Sequence, residues 1–412
     1  MARAFQALRH RNYRLFWSGQ ASSLTGNWMQ TIGESWLVYR VTGSPVALGA
    51  VSFVALLPVL PISLFGSALI DRMPRRKLLL GTQVALACTA FAWAALAWSQ
   101  QIQLWQIVLL SFLEGAIASV DLPARQAFLP ELVGRADLPN GIALSNSLYN
   151  AARIVGPTLA GLVIANAGEG ACFLINGLSF LPFIACLAMI RDLRPREQSA
   201  EATRSGGVML GVRYVLGSAS LIWLLALMAV STLLLLSYST LMPVIAKDVL
   251  AVGPQGLGLL MTSVGLGAML GSLWLASLDS QRLMRWLVLG LYMLPLSVIA
   301  FTTARELALA MAIALVAGIN TTWMQTILNT LVQLHVPDHV RGRTLSIYLA
   351  LSVGMQRVGG MEAGFLAQII GVSAALRVGA VLSLFFTTIA LWRRPLPVGQ
   401  SAVPATGAAD AL

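Results

Sequence analysis

The chain consists of long apolar segments separated by short connections, and this alternation limits the folds that are open to it. A helix needs about 20 apolar residues to cross the hydrocarbon core of a bilayer. Segments that reach or approach this length fall at about 16–39, 45–70, 78–99, 103–123, 139–166, 170–190, 220–246, 254–278, 284–302, 306–331, 343–369 and 373–391. The sequence therefore predicts an all-α integral membrane protein with twelve transmembrane helices.

The composition also indicates a membrane environment. Of the 412 residues, 57% are hydrophobic and 10% are charged, whereas a soluble domain carries about 25% charged residues. A net charge of +11 would suit nucleic acid, but the cations lie in the short connections between apolar segments. We predict the lipid bilayer as a partner and no nucleic acid.

The distribution of the cations predicts the orientation of the chain. If both termini lie in the cytoplasm, most of the 27 lysines and arginines fall on the cytoplasmic side of the membrane. Cytoplasmic connections carry an excess of Lys and Arg in membrane proteins. We therefore predict a multi-pass protein of the bacterial inner (cytoplasmic) membrane, with both termini in the cytoplasm.

A partial repeat divides the twelve segments into two sets of six. Segment five contains A-R-I-V-G-P-T-L-A-G at 152–161, and segment eleven contains Q-R-V-G-G-M-E-A-G at 356–364. Both place an arginine in mid-segment and glycines on the following turns, and two six-helix halves in parallel repeat are one way to build a secondary transporter. The predicted organisation is an N-terminal half at 1–190, a cytoplasmic linker at 191–219 with a short surface helix at 208–216, a C-terminal half at 220–394 and a disordered tail at 395–412.

Polar residues recur at helical spacing in several of the segments. Steps of three and four residues place them on one face of a helix, and such a face points to protein or water rather than to lipid. Hydrogen bonds that only join the helices would explain the same pattern, but acids among the polar residues favour a hydrated cavity. The predicted substrate-cavity residues are Gln20, Asn27, Gln30, Asn150, Thr322, Trp323, Gln325 and Asn329.

Ionisable residues inside the apolar segments are the predicted sites of proton coupling. At about 1.5 Å per residue, Glu114 and Arg153 both fall near the middle of the membrane, and we predict that they pair. A conformational change that separates such a pair lets the acid take up a proton, whereas a permanent ion pair that joins two helices is the alternative. The candidates are Glu34, Glu114, Asp121, Arg153, Arg357 and Glu362.

The chain lacks the motifs of several enzyme classes. Its lysines, Lys77 and Lys247, do not lie in a Walker A loop, which excludes ATP hydrolysis by this chain. His335 and His339 are four residues apart, but Pro337 lies between them, and we predict no metal site. We expect no enzymatic activity and no cofactor, with the proton gradient as the energy source.

The segments and motifs together resemble the major facilitator superfamily of transporters over about residues 5–394. Some stretches are similar to the branch that contains the bacterial enterobactin exporter and related secretion proteins. These stretches are F-Q-A-L-R-H-R-N-Y-R-L-F-W at 5–17, W-L-V-Y-R-V-T-G-S at 36–44, P-A-R-Q-A-F-L-P-E-L-V at 123–133 and R-I-V-G-P-T-L-A-G at 153–161. The resemblance implies an alternating-access fold in which segments one, four, seven and ten line a central cavity.

Two motifs acquire roles from this resemblance. Gly156, Pro157 and Gly161 correspond to the antiporter motif of exporters. The loop G-S-A-L-I-D-R-M-P-R-R-K at 66–77 corresponds to a gating loop, whose matching residues are Asp71, Arg72, Arg75 and Arg76. Asp71 could cap a helix of the other half when the cytoplasmic side closes, whereas plain anchoring by the cations is the alternative.

We therefore predict a secondary active efflux transporter, coupled to protons, that exports an amphipathic small molecule such as a siderophore or another secreted metabolite. Multidrug or antibiotic efflux by antiport is the first alternative. A proton symporter that imports a metabolite and a non-transporting membrane scaffold rank lower. We expect a monomer, and an export partner in the periplasm or outer membrane stays open.

The gating loop gives the first testable prediction. We expect Asp71→Asn to reduce transport more than Lys77→Ala does, because positive-inside anchoring explains the cations of the loop but not its acid. Transport assays together with quantification of membrane-inserted protein check this, and insertion should be normal in both variants. Equal and mild effects of the two substitutions would identify the loop as an anchor.

Overall fold

The computed structural model describes residues 5–62, 73–191, 207–278 and 283–393. These residues form helices joined by short turns, and no β-strand occurs among them. The predicted gating residues Asp71 and Arg72, much of the predicted linker and the predicted tail at 395–412 lie outside the described residues.

The first half of the chain contains six helices. They are α1 (Arg11–Thr42, after a 3₁₀ turn at Gln6–Arg9), α2 (Pro45–Val54, followed by a helical turn at Val59–Pro61), α3 (Arg75–Ser99) and the run Leu104–Met189. That run turns sharply at Gly134 and Gly168. It therefore consists of three helices, α4 (104–133), α5 (135–167) and α6 (169–189).

The linker contains α7 (Gly207–Leu216), which coincides with the predicted short helix, and the second half follows it. Next is α8 (Ala219–Leu235), continued by a 3₁₀ turn at Leu236–Ser239, a helical turn at Met242–Val244 and a π-helix at Ile245–Val249. The remaining helices are α9 (Gly253–Ala276), α10 (Leu283–Phe301), α11 (Leu307–Leu334), α12 (Asp338–Ile370) and α13 (Val372–Arg393).

Glycines make the tight turns between these helices. α1 ends at Gly43, which has a left-handed φ of 60° and donates its N–H to Tyr39 O at 2.9 Å. Gly134 and Gly168 have φ values of 75° and 79°, which a residue without a Cβ atom adopts at little cost. Neighbouring helices therefore run in opposite directions, and both described ends of the chain lie on one side of the bundle. We call this the terminal side and the opposite side the far side.

Seven helical runs in the described part of the chain are long and apolar enough to cross a membrane. One of them is Leu104–Met189, which contains α4, α5 and α6. The more polar helices α1 and α12 are not among the seven. The count of twelve spans therefore stays a prediction, while the all-helical membrane architecture is confirmed.

Small residues set the distance between α1 and α6. Gly19, Gly26 and Gly33 are seven residues apart and face α6, where Cβ atoms added to them would lie 2.9, 2.2 and 3.0 Å from its nearest atoms. Close approach at small residues is a common way for helices to associate in a bilayer, because apolar burial gives little drive there. α1 is therefore fixed to the rest of the first half.

The two halves repeat the same packing. A Cβ atom on Gly156 of α5 would lie 2.4 Å from Trp28 Cβ of α1, and one on Gly359 of α12 would lie 2.0 Å from the carbonyl oxygen of Leu233 in α8. The fifth helix of each half thus packs on the first helix of the same half. This correspondence supports the predicted parallel repeat.

Contacts between the halves follow the same symmetry. A Cβ atom added to Gly161 of α5 would lie 2.9 Å from Pro254 O of α9. One added to Gly364 of α12 would lie 2.5 Å from Pro45 O of α2. Thr158 and Thr262 share a hydrogen bond of 2.7 Å on the first of these interfaces. Each half therefore uses its fifth helix to contact the second helix of the other half.

Hydrogen bonds on the far side also join the halves. Tyr39 near the end of α1 donates its hydroxyl to Asp248 in the π-helix, and Lys247 Nζ lies 5.2 Å from the centroid of the Tyr39 ring. Ser44 Oγ donates to Gln368 Oε1 at 3.2 Å. The halves therefore meet on the far side, which is the closed side of this conformation.

A glycine substitution tests this packing. Gly359→Ala should destabilise the fold by about 1–3 kcal/mol, which is typical of overpacking, because its Cβ would meet a backbone carbonyl at 2.0 Å. Gly354→Ala on the same helix meets nothing within 4 Å and should be neutral or slightly stabilising. Thermal unfolding in detergent measures both, and equal unfolding temperatures of the two variants would contradict the packing.

Candidate functional site

A pair of carboxyl groups lies inside the first half, joined by one amide. Gln30 Nε2 donates to Glu34 Oε1 at 2.6 Å and to Glu114 Oε1 at 2.5 Å. Gln30 and Glu34 are four residues apart on α1 and so share a face of that helix, while Glu114 comes from α4. The two carboxyl groups are also close enough to interact with each other. A direct hydrogen bond between them would require that one of the two carries a proton.

Two further side chains hold this pair in place. Asn176 Nδ2 of α6 donates to Gln30 Oε1 at 2.5 Å, which orients the amide so that its nitrogen faces the acids. Trp93 Nε1 of α3 donates to Glu114 Oε1 at 2.8 Å. Asn176 and Trp93 are 1% and 0% exposed, so the hydrogen bonds form away from water. We call Gln30, Glu34, Trp93, Glu114 and Asn176 the carboxyl cluster.

A cation from the second half lies near the carboxyl cluster. Arg357 of α12 interacts electrostatically with Glu34, and its Nη1 donates to Ser52 O of α2 at 3.5 Å. The side chain of Arg357 lies beside α2 and is exposed there. A carboxyl group of one half therefore faces an arginine of the other.

Arg153 does not pair with Glu114, and that part of the prediction is wrong. The Arg153 guanidinium lies over the ring of Trp28, with its Cζ 5.9 Å from the ring centroid, while Glu114 is bound by Gln30 and Trp93. The two residues are at similar depths, but α4 and α5 turn these side chains toward different neighbours. Depth alone did not specify which side chains meet.

Asp121 belongs to a separate buried network near the terminal side. Its Oδ2 accepts from Arg125 Nε at 2.5 Å, and its Oδ1 accepts from Thr82 Oγ1 at 2.6 Å and from Gln83 Nε2 at 2.7 Å. Asp121 and Arg125 are only 7% and 8% exposed. The carboxylate has a full set of donors in this conformation and joins α3 to α4, which favours a structural role.

The other predicted residues occupy several places. Asn27 and Asn150 are half-buried on α1 and α5, and Thr322 and Gln325 are half-buried on α11. Asn329 accepts from Gln333. The predicted cavity role of all five stays a prediction.

Some predicted residues lie away from the carboxyl cluster. Trp323 packs on Trp286 with ring centroids 4.8 Å apart, and its Nε1 donates to Gly271 O at 3.2 Å. Glu362 is exposed on the face of α12 that also carries Phe365 and Ile369. Gln20 is buried, and its Oε1 has no hydrogen-bond partner among the described residues.

The described part of the gating loop contacts its own half. Arg75 Nη1 donates to Ala127 O at 2.6 Å and to Glu131 Oε1 at 2.9 Å. Arg76 donates to the carbonyl oxygens of Leu187 and Ala188 at 2.8 and 2.6 Å. These arginines hold the start of α3 against α4 and α6, and the gating role of the loop stays a prediction.

The structure adds several residues to this region that carried little signal in the sequence. Asn176 is a single amide in an apolar segment, and its position there was the available signal. Trp93 gave no signal, because tryptophans are common in membrane helices.

On the far side, Arg40 Nε and Glu169 Oε1 form an ion pair of 2.7 Å beside a cleft of about 500 Å³.

Two helical halves that meet on one side, with ionisable groups between them, are typical of transporters of the major facilitator type, and comparisons with known proteins agree. The structure matches that of a bacterial homologue of the human lysosomal transporter Spinster, in an inward-facing and occupied conformation. The TM-score is 0.73 at 13% identity, with 92% of this chain and 95% of that chain covered. This likeness shows the fold.

The sequence comparisons define the family. The chain belongs to the transmembrane secretion effector family, which it matches over residues 2–408. It is 23% identical to the staphyloferrin A transporter of Staphylococcus aureus over 379 residues, 91% of this chain and 94% of that protein. It is 27% identical to the multidrug efflux pump Tap of Mycolicibacterium fortuitum over 383 residues, 89% of this chain and 92% of that protein. The predicted resemblance to major facilitator transporters is confirmed.

The network around Asp121 gives a stability prediction. Asp121→Asn should lower the free energy of unfolding by about 3–5 kcal/mol, because it leaves Arg125 buried without its counter-charge. Asp137→Asn is the matched control, since its partner His10 and Asp137 itself are 27% and 18% exposed, and such pairs contribute about 0–1 kcal/mol. Thermal unfolding of both variants checks this. A loss no larger for Asp121→Asn than for Asp137→Asn would show that the network contributes little to stability.

Proposed function

We propose that this protein is a proton-coupled exporter that moves an amphipathic small molecule out of the cytoplasm. The observation that carries the proposal is the carboxyl cluster together with Arg357 of the other half. Two acids that share one proton, inside a bundle whose halves move relative to each other, form a proton-binding site. No cofactor is needed in this scheme, because the proton gradient supplies the energy.

The geometry suggests how proton movement and opening are linked. With the far side closed, Arg357 lies near Glu34, and a neighbouring cation favours the ionised carboxylate. The far side opens by separation of the halves, and Arg357 and Glu34 belong to different halves. The acid then loses its cation and takes up a proton from the far side. Closure returns the arginine and releases the proton to the terminal side.

This cycle predicts antiport. The positive-inside distribution of lysine and arginine supports a terminal side that faces the cytoplasm of a bacterial inner membrane. Protons would then move inward down their gradient while the substrate moves outward. The glycine contacts at Gly156 and Gly161, which bring α5 close to α1 and α9, are the part of the antiporter-like motif that supports this direction.

The relatives support a choice of substrate class. Proteins described as a staphyloferrin A transporter and as a multidrug efflux pump are both similar to this chain over most of its length. We propose a siderophore or another secreted metabolite as substrate, and multidrug or antibiotic efflux as the second candidate. We propose further that the chain acts as a monomer. Transfer of the substrate to a partner in the periplasm or outer membrane would be a later step.

Metabolite profiling of the medium, with and without the gene, identifies the substrate. A compound that appears in the medium only when the gene is present supports export of a metabolite. Unchanged secretion combined with drug hypersensitivity of the disrupted strain supports multidrug efflux. The absence of both effects would contradict the proposal of an exporter.

Substitutions in the carboxyl cluster test the coupling. We expect Glu34→Gln and Glu114→Gln each to reduce pH-gradient-driven uptake of that compound into everted vesicles about tenfold or more, because the shared proton site is lost. Glu306→Gln removes an exposed carboxyl group that directly precedes α11, and it should transport like the wild type. Uptake that still follows the pH gradient in both cluster variants would refute this assignment of the coupling acids.

A further inference from the structure

Arg153 is a charged group near the middle of the membrane that lacks a carboxylate partner in the described part of the chain. The ion pairs found there that contain an arginine involve Arg40, Arg75 and Arg125. Glu34 interacts electrostatically with Arg357 rather than with Arg153. A charge at this depth is costly unless something neutralises or hydrates it. No carboxylate in the described part of the chain neutralises Arg153.

Aromatic side chains lie near the guanidinium. Its Cζ lies 5.9 Å from the centroid of the Trp28 ring, and Trp28 and Tyr149 meet edge to face at 5.7 Å. Tyr149 and Tyr238 both interact electrostatically with Arg153, and Tyr238 comes from the second half. We call Trp28, Tyr149, Arg153 and Tyr238 the aromatic arginine cluster.

The chain brings this cluster together for a local reason. Gly156 follows Arg153 by one helical turn, and a Cβ atom added to it would lie 2.4 Å from Trp28 Cβ, so the missing Cβ lets α5 pack closely on α1. Tyr149 lies one turn before Arg153 on the same face of α5. Tyr149 remains 47% exposed and Arg153 is half-buried. Packing therefore holds the cluster together but leaves it accessible to a ligand.

The partial repeat makes the missing counter-charge more informative. The repeated motifs of α5 and α12 each carry one arginine, Arg153 and Arg357, which differ by one position relative to the glycines that pack alike. Glu34 lies within electrostatic range of Arg357, while Arg153 interacts with the aromatic side chains of the cluster. One of the two arginines thus faces an acid of the protein, and the other is left for a different anion.

We propose that the aromatic arginine cluster binds the anionic group of the transported molecule, whose class is therefore an organic anion with a ring or another apolar body. This inference rests on the proposed export function and narrows its substrate. A guanidinium binds carboxylate or phosphate oxygens through two parallel N–H groups, and the rings of Trp28 and Tyr149 offer apolar faces beside it. A cationic substrate fits poorly, because Arg153 already occupies the Trp28 ring and repels a second cation.

The test measures binding without a gradient, so that it is independent of transport. Purified protein in neutral phosphatidylcholine nanodiscs is titrated with two probes that share a ring system, 1-naphthoate and 1-naphthylmethylammonium, by equilibrium dialysis. The wild type should bind the anion at least about tenfold more tightly than the cation, a difference of about 1.4 kcal/mol. Equal affinities, tighter binding of the cation, or no binding of 1-naphthoate would overturn the proposal without any use of a variant.

Variants locate the site. Arg153→Gln should weaken 1-naphthoate binding about tenfold or more, and Arg153→Lys should restore part of it because the charge is kept. Arg377→Gln removes an arginine near the start of α13, on the far side of the bundle, where its Nε donates to Thr302 Oγ1 at 2.8 Å. This variant should bind like the wild type. Unchanged binding in Arg153→Gln would overturn the site, and if that variant does not fold, unchanged binding in Trp28→Ala would do so.

A lipid is the other source of an anion, and the experiment separates the two. Repeating the titration in nanodiscs that contain phosphatidylglycerol should leave 1-naphthoate binding unchanged. Competition by phosphatidylglycerol would overturn the assignment to the transported molecule in favour of a lipid headgroup. If the anion binds at Arg153 but vesicles show no proton-driven export, the proposed function fails while the anion site stands, so the two outcomes are distinguishable.

Discussion

Direct contact between backbones at glycine is the interaction on which the rest of this structure depends. Helices in a bilayer gain little from apolar burial against each other, because lipid is as apolar as a leucine side chain. Close approach at positions such as Gly161, Gly359 and Gly364 replaces that drive with van der Waals contact. The contacts at Gly161 and Gly364 fix how far the halves stand apart, and so they decide which polar side chains of one half reach the other.

The polar groups are distributed unequally between the halves. The first half contains the whole carboxyl cluster, which spans α1, α3, α4 and α6, whereas the second half contributes Arg357 from α12. A division of this kind would leave the proposed proton site intact when the halves move and would change only its electrostatic surroundings. In the proposed cycle, the fold thus separates the group that binds the proton from the group that controls it.

Much of the fold followed from the sequence because local patterns specify it. Length and hydropathy predicted the helices, and the spacing of Gln30 and Glu34 placed both on one face of α1, where they meet the same neighbours. The partial repeat predicted the matched packing of α5 and α12. These inferences needed only helical periodicity and the dimensions of a bilayer.

The partners of the charged side chains did not follow from the sequence. Glu114 meets Trp93 and Gln30 rather than Arg153, and Trp323 packs against Trp286. Which side chains meet depends on how each helix is rotated about its axis and on the angle at which it crosses its neighbours. Both are set by contacts across the whole bundle, such as the glycine approaches, that spacing within one segment does not encode.

One consequence follows from the position of α1. This helix contains no proline between Arg11 and Thr42, and Gly19, Gly26 and Gly33 hold it on α6, so it moves as a stiff rod with its half. The same rod carries the ring beneath Arg153, an acid of the carboxyl cluster and, at Tyr39, the far-side bond to Asp248. In the proposed cycle, substrate binding, proton exchange and opening of the far side therefore all depend on α1. A proton leak, in which a proton crosses while no substrate moves, would require α1 to bend.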